Sequence, residues 1–277
     1  MTAGRMQGLL GGMARVLLPV VLALIAGGLL LLLLDKDPLA YYGYVVKRGL
    51  LSPTGLQASI TRMIPLLMIA AGLIVAFRAG LWNLGVDGQF LLAAVCVAAL
   101  APALATTMPL ILATLICFAV AFAVGALWSL IPAFLKARHG INEIISTLMM
   151  SFLGVSLANV LIKIPFNDPS TTVPQTATLP VEDRLMRLGD TTIPCGIVIS
   201  LAAVLLVHFM MERTALGMKL QIVGANPRAA RHAGLNLERL TLVAFALSAG
   251  LAGLAGALDV LGVHGTIRAD WNPAYGI

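Results

Sequence analysis

Charge is scarce in this sequence. Only 11% of its 277 residues are Asp, Glu, Lys or Arg, against 60% hydrophobic, and the mean hydropathy is +0.98. A soluble fold of this length cannot cover so much apolar surface with so few charges, so soluble classes are excluded and the solvent must be lipid. Cysteine is equally sparse. Cys96, Cys117 and Cys195 form no CxxC pair and two of them lie in apolar runs, which speaks against a disulfide framework or a thiolate metal site. His139, His208, His232 and His264 are scattered without ligand spacing, so no metal is expected. No Gly-Lys pair occurs, which excludes a Walker A loop, and neither HExxH nor a G-x-S-x-G elbow is present. No catalytic residue and no cofactor are therefore expected. The net charge of +6 needs no nucleic acid, because basic loops on one membrane face account for it.

What is present is a series of apolar runs, each near the roughly 20 residues that a bilayer core requires. They cover 16–34, 60–77, 86–105, 109–131, 141–164, 193–211 and 240–263. The expected fold is an all-α polytopic membrane protein, a single transmembrane domain over 1–277 with about seven membrane helices. Arg5 and Arg15 precede the first run as they would in a signal peptide. Its apolar core is too long for that and no small-residue cleavage site follows, so it reads as a retained anchor.

With the N-terminus inside, Arg5, Arg15, Arg78, Lys136, Arg138, Arg213, Lys219, Arg228, Arg231 and Arg239 fall on the cytoplasmic side, ten of the eighteen basic residues. Segments 35–59 and 165–192 then lie outside. The first carries Tyr41, Tyr42 and Tyr44 beside Lys47 and Arg48, which suits a short helix in the interface. The second is rich in Pro, Thr and acidic residues and reads as a loop with little regular structure.

Segment 212–239 is a polar, basic loop between two apolar runs. Asn226 is a good N-cap and Pro227 suits the first position of a helix, where its missing N–H is not needed. A short helix through Arg228, Ala229, Ala230, Arg231, His232 and Ala233 would end at Gly234 as C′. Helical spacing puts Ala229, Ala230 and Ala233 on one smooth face. A solvated basic loop that merely obeys the inside rule is the bland alternative.

Residues 77–90 interrupt an otherwise long apolar stretch with three glycines and with Arg78, Asn83, Asp87 and Gln89. A Gly-rich break at membrane depth is tolerated only inside protein or beside water. A carboxylate there costs roughly 2.5–3.5 kcal/mol on insertion scales, so Asp87 needs a partner or a cavity. Two readings stand at this point. One is a broken helix lining a water-accessible path, with Asn83 and Gln89 as amide ligands and Trp82 as a stacking plane. The other is a turn between two spans with Arg78 and Asp87 solvated. Glu143 opens the fifth span, where it favours the helix dipole or lines the same path. Ser146, Thr147 and Ser151 follow it and could bond across helices. Asp259 is expected at an interface rather than buried. In the last span, Ala249 with Gly253 and Ala252 with Gly256 are small residues four apart, a pattern for close helix packing.

Three segments in order, G-L-W-N-L-G-V-D-G-Q at 80–89, L-K-A-R-H-G-I-N-E at 135–143 and T-A-L-G-M-K-L-Q-I-V-G-A-N-P-R-A-A-R-H-A-G at 214–234, resemble the inner-membrane permeases of ABC importers for branched-chain amino acids, simple sugars and nucleosides. The first segment is most similar to the nucleoside-type branch. The resemblance implies a bacterial inner-membrane permease that passes a nucleoside or related polar molecule inward. It also implies as partners a cytoplasmic ABC ATPase, a second permease subunit, the same or paralogous, and a periplasmic or lipoprotein substrate-binding protein. By the same likeness Trp82, Asn83, Asp87, Gln89 and Glu143 would lie by the substrate pathway. Asn226, Arg228, Ala229, Ala230, Arg231, Ala233 and Gly234 would dock the ATPase. Arg228 departs from the docking signature, which often has Glu there. The resemblance also implies further spans beyond Ile277. A simple sugar or branched-chain amino acid is the alternative cargo. An ion-coupled secondary transporter, with Asp87, Glu143 or Asp259 as relays, and a structural scaffold are alternatives of a different class.

Overall fold

Where no water can hydrogen-bond the backbone, an apolar run satisfies its own N–H and C=O groups by folding as a helix. The computed structural model describes residues 3–276, with side chains from Leu17 onward except that of Leu50. Arg5 and Arg15 thus lie outside the side chains described. The chain forms two compact units, Met1–Ser59 and Ile60–Ile277.

In the first unit, α1 (Ala3–Leu33) is followed by the short helix α2 (Pro38–Val46) and a π-helical turn, Lys47–Leu51. Asp37 caps α2, its Oδ1 accepting from the N–H groups of Leu39 (2.9 Å) and Ala40 (3.3 Å), with Pro38 at the first helical position. The Tyr42 hydroxyl donates to the Leu24 carbonyl at 2.7 Å and ties α2 to α1. Arg48 donates to the Tyr44 hydroxyl at 2.8 Å.

α3 (Pro53–Arg78) begins in the first unit and continues into the second. There it is joined by α4 (Val86–Thr107), α5 (Leu110–His139), α6 (Glu143–Lys163), α7 (Gly196–Arg213), α8 (Ala215–Ala225), α9 (Pro227–His232) and α10 (Leu237–Asp259), which runs on into a π turn, Val260–His264. Six helices among the described residues are long and apolar enough to cross a membrane. The chain is an all-α multi-pass membrane protein. Of the seven spans expected, the first is represented by the described apolar stretch Leu17–Leu33 of α1, which is shorter than the other six. No strand occurs among the described residues, only two isolated bridges.

The second unit is built around α10. Its small residues let neighbouring backbones come close: a Cβ added at Gly253 would meet the Ala121 carbonyl of α5, and one at Gly256 the Phe90 carbonyl of α4. The face of Ala249, Ala252, Gly253 and Gly256 is buried. One core cluster joins α3, α4 and α10 through Met68, Phe90, Leu91, Val97, Leu258 and Leu261. A second gathers at the end of the unit that carries α8 and α9, with Val75, Leu81, Leu220, Val223, Ala230, Leu240 and Phe245.

Segment 165–192 contains only one turn of 3-10 helix, Val181–Asp183, yet it is firmly held. Thr176 N–H donates to the Ile267 carbonyl (3.0 Å), Leu179 N–H to that of Gly265 (2.8 Å) and Leu185 N–H to that of Leu261 (2.9 Å). Arg184 reaches the carbonyls of Leu179 and Val263 (3.0 Å to the latter). The loop therefore folds over the residues that follow α10, at the end opposite α9.

Candidate functional site

The break between α3 and α4 covers residues 79–85, a turn followed by irregular backbone, and is held by side chains of α6 and α10. Gly80 takes the left-handed conformation (φ 71°) that turns the chain out of α3. The Leu84 N–H donates to Thr147 Oγ1 (3.1 Å), and the Gly88 N–H in the first turn of α4 donates to Ser151 Oγ (3.2 Å). Both are donors that no helix ladder can satisfy. Ser151 lies eight residues into α6, about 12 Å along it, so the break sits well inside the bundle.

Asn83 and Gln89 face each other. Asn83 Nδ2 donates to Gln89 Oε1 and Gln89 Nε2 donates to Asn83 Oδ1, both at 3.0 Å. Asn83 Nδ2 also reaches Ser248 Oγ of α10 (3.1 Å), and its Oδ1 accepts from the Gly85 N–H (3.1 Å). Each residue is 1% exposed. The geometry differs from the expectation of amides lining a water-accessible cavity, because a closed pair of amides buried between three helices satisfies itself. Trp82 points the other way: it is 53% exposed and packs on Phe77 with ring centroids 5.0 Å apart, so it does not share the amides' site.

The two carboxylates have separate partners. Asp87 is buried, and its Oδ1 accepts from the Gly276 N–H at 2.7 Å, which differs from the solvated state expected of a simple turn. Glu143 pairs with Lys136 Nζ at 2.7 Å across the α5–α6 turn. Arg78 lies 3.6 Å from Glu212, both half exposed, a pairing of little energetic consequence. Asp259 is 4% exposed, which corrects the expectation that it sits at an interface, and its Oδ2 is 3.7 Å from His264 Nε2. Among the described residues no group of acidic, Cys and His side chains could hold a metal.

The basic loop folds as two helices. Thr214 caps α8, accepting from the Gly217 N–H (3.2 Å). Asn226 caps α9, its Oδ1 accepting from the N–H groups of Arg228 and Ala229, both at 3.0 Å. Pro227 is the first residue of α9, and Gly234 closes it at φ 77°. Leu235 N–H bonds back to the Ala230 carbonyl at 3.0 Å. Arg228, Ala229, Arg231, His232 and Ala233 are exposed. Ala230 is not: at 0% exposure it packs among Leu220, Val223 and Leu240. The single face expected of the three alanines is corrected accordingly. Six residues are under two turns of helix, and the apolar core beneath claims the one position that points to it.

The sequence model of the branched-chain amino acid transport system / permease component family matches residues 55–272. The chain belongs to that family. It is 33% identical to a glucose ABC transporter permease protein of Haloferax volcanii, over 94% of this chain and 70% of that protein. It is 30% identical to a guanosine ABC transporter permease protein of Bacillus subtilis, over 89% of this chain and 71% of that protein. A nucleoside ABC transporter permease protein of Lactococcus lactis is 24% identical over 87% of the chain and 68% of its own length. No solved structure matches. As a family permease the chain is a membrane subunit of a transporter and not itself an enzyme, and membership implies an ATPase and a substrate-binding protein as partners.

Within this permease, sequence reasoning marked Thr147 and Ser151 as able to bond across helices, and they do so to backbone N–H groups of the break. Ser248 escaped notice, because it sits at the edge of a small-residue run that reads as packing alone. Arg184 escaped too. A lone basic residue in a polar loop carries no sequence signal that its guanidinium will be enclosed by two carbonyls.

Proposed function

We propose that this permease passes a nucleoside inward, driven by a separate ATPase that docks on α8 and α9. The observation that carries the cargo is the likeness over most of the chain to permeases named for guanosine and for nucleosides, joined to the N-L-G-V-D-G-Q pattern at 83–89. The Haloferax volcanii likeness favours a second reading, a simple sugar. The two cargoes share a ring bearing several hydroxyls.

The capped helix α9 offers exposed Arg228 and Arg231 beside Ala229 and Ala233. That combination suits a groove with an acidic rim on the ATPase. This end of the bundle is then cytoplasmic, and a second permease subunit completes the pathway. In the substrate pathway proposed through the break, Asn83 and Gln89 act as a brace that fixes the irregular backbone, while Asp87 and Glu143 set its charge and Trp82 covers its outer side.

Uptake of labelled guanosine, glucose and leucine into cells with and without the chain, each with an intact or inactivated ATPase, tests the reading. ATP-dependent guanosine uptake is expected. Leucine uptake alone overturns the cargo. Uptake that survives the inactive ATPase and collapses with the proton gradient replaces the whole mechanism by ion coupling.

A further inference from the structure

At the end of α10 opposite the docking loop, a cavity of about 240 Å³ is lined by His264, Thr266, Arg268 and Trp271. We propose that this cavity is a binding station for the hydroxylated ring of the solute; the inference rests on the cargo class proposed above. α10 spans 23 residues, about 34 Å, so the cavity lies across the membrane thickness from α9, where a solute arriving from outside would first meet the permease.

Each lining group has the chemistry a sugar ring needs. Trp271 supplies an aromatic face for the apolar C–H side of the ring. Arg268 supplies five N–H donors that ring hydroxyls can accept from, and its guanidinium has no hydrogen-bond or ion-pair partner among the described residues. Thr266 donates its own proton to the Thr176 carbonyl (2.8 Å) and accepts from the Thr176 hydroxyl (3.3 Å), which leaves one lone pair of its oxygen for a further donor. His264 stands edge-on to Trp271, ring centroids 5.0 Å apart. Behind it lies the buried carboxylate of Asp259, whose Oδ2 makes no hydrogen bond and stands 3.7 Å from Nε2.

The rim is rigid for a physical reason. Gly265 is left-handed (φ 68°), and a Cβ there would run into the Arg184 guanidinium that clamps Leu179 and Val263. The cavity is poorly suited to a branched-chain amino acid. It has no aliphatic socket, and Asp259, the carboxylate beside it, is buried behind His264 and cannot reach an ammonium group.

The test is direct binding to the purified full-length permease with its partner subunits. Tritiated guanosine is the probe, and D-ribose, D-glucose, L-leucine and inorganic phosphate are competitors. Guanosine should be displaced by ribose or glucose and not by leucine or phosphate. Arg268→Gln, at an exposed position, should weaken binding about tenfold or more, the range for a lost hydrogen bond to a charged group. Trp271→Leu should weaken it comparably and Trp271→Phe much less, with thermal stability and ATPase co-purification unchanged for Arg268→Gln. Displacement by phosphate would make this an anion site. No binding of any hydroxylated solute, or equal affinity in Arg268→Gln and Trp271→Leu, overturns the station. Guanosine uptake that persists in those variants with unchanged KM overturns the station alone, whereas leucine-only uptake by the wild type overturns the cargo reading.

Discussion

The amide pair at the break lends itself to a double-mutant cycle. Asn83→Ala leaves four buried groups without partners: both ends of the Gln89 amide, the Gly85 N–H and the Ser248 hydroxyl. At about 1–3 kcal/mol for each group, the loss has a ceiling near 12 kcal/mol. Side-chain hydrogen bonds in membrane proteins average only about 0.6 kcal/mol, because the inserted but unfolded chain also finds partners. A loss of about 2–4 kcal/mol is therefore expected for Asn83→Ala, and about 1–3 kcal/mol for Gln89→Ala, which leaves the Gly85 N–H bonded. In the double variant no amide is stranded, so its loss should fall short of the sum by about 1–2 kcal/mol. Unfolding in mixed micelles, followed by tryptophan fluorescence, gives all four corners of the cycle. Single variants as stable as the wild type, or losses that add to within about 0.5 kcal/mol, would refute the brace. The two amides would then be free to serve the solute, and the variants should lose solute binding instead.

Ala229→Glu and Ala230→Glu should fail in different ways. Ala229 is exposed, so its Glu variant should keep its thermal stability and lose ATPase co-purification, whereas Glu at buried Ala230 should lower stability by at least about 2 kcal/mol and lose the ATPase as a consequence. The Asp168 carboxyl is held below its ordinary value by the Ser170 hydroxyl, then by the Ser170 N–H. A depressed value stabilises the turn fully above the ordinary carboxylate range and is lost as pH falls through the folded value. Ser170→Ala should raise the Asp168 value and move acid-induced proteolysis of loop 167–192 to higher pH, and an unchanged pH profile would dismiss the contact.

Composition and residue order were enough to set the solvent, the class and the helices. With so few charges, each apolar run had to become a membrane helix, and backbone self-satisfaction leaves little choice of geometry. The α9 boundaries were legible for an equally local reason: Asn226, Pro227 and Gly234 each act on the backbone within one turn. The small-residue face of α10 could be read as packing, since a missing side chain is a property of the residue alone.

What each side chain faces was decided only in three dimensions. Asn83 and Gln89 look like ligands in sequence. Whether an amide turns to water or to another amide depends on Ser248, a residue 165 positions away whose approach is set by packing in α10. Ala230 parted from Ala229 and Ala233 because the core of Leu220, Val223 and Leu240 lies under one side of a six-residue helix. Asp259 was drawn inside for a similar reason: α10 is buried along most of its length, so a residue at its far end is enclosed as well. Hydropathy reports the average environment of a segment, and the direction of each side chain comes from partners distant in the chain.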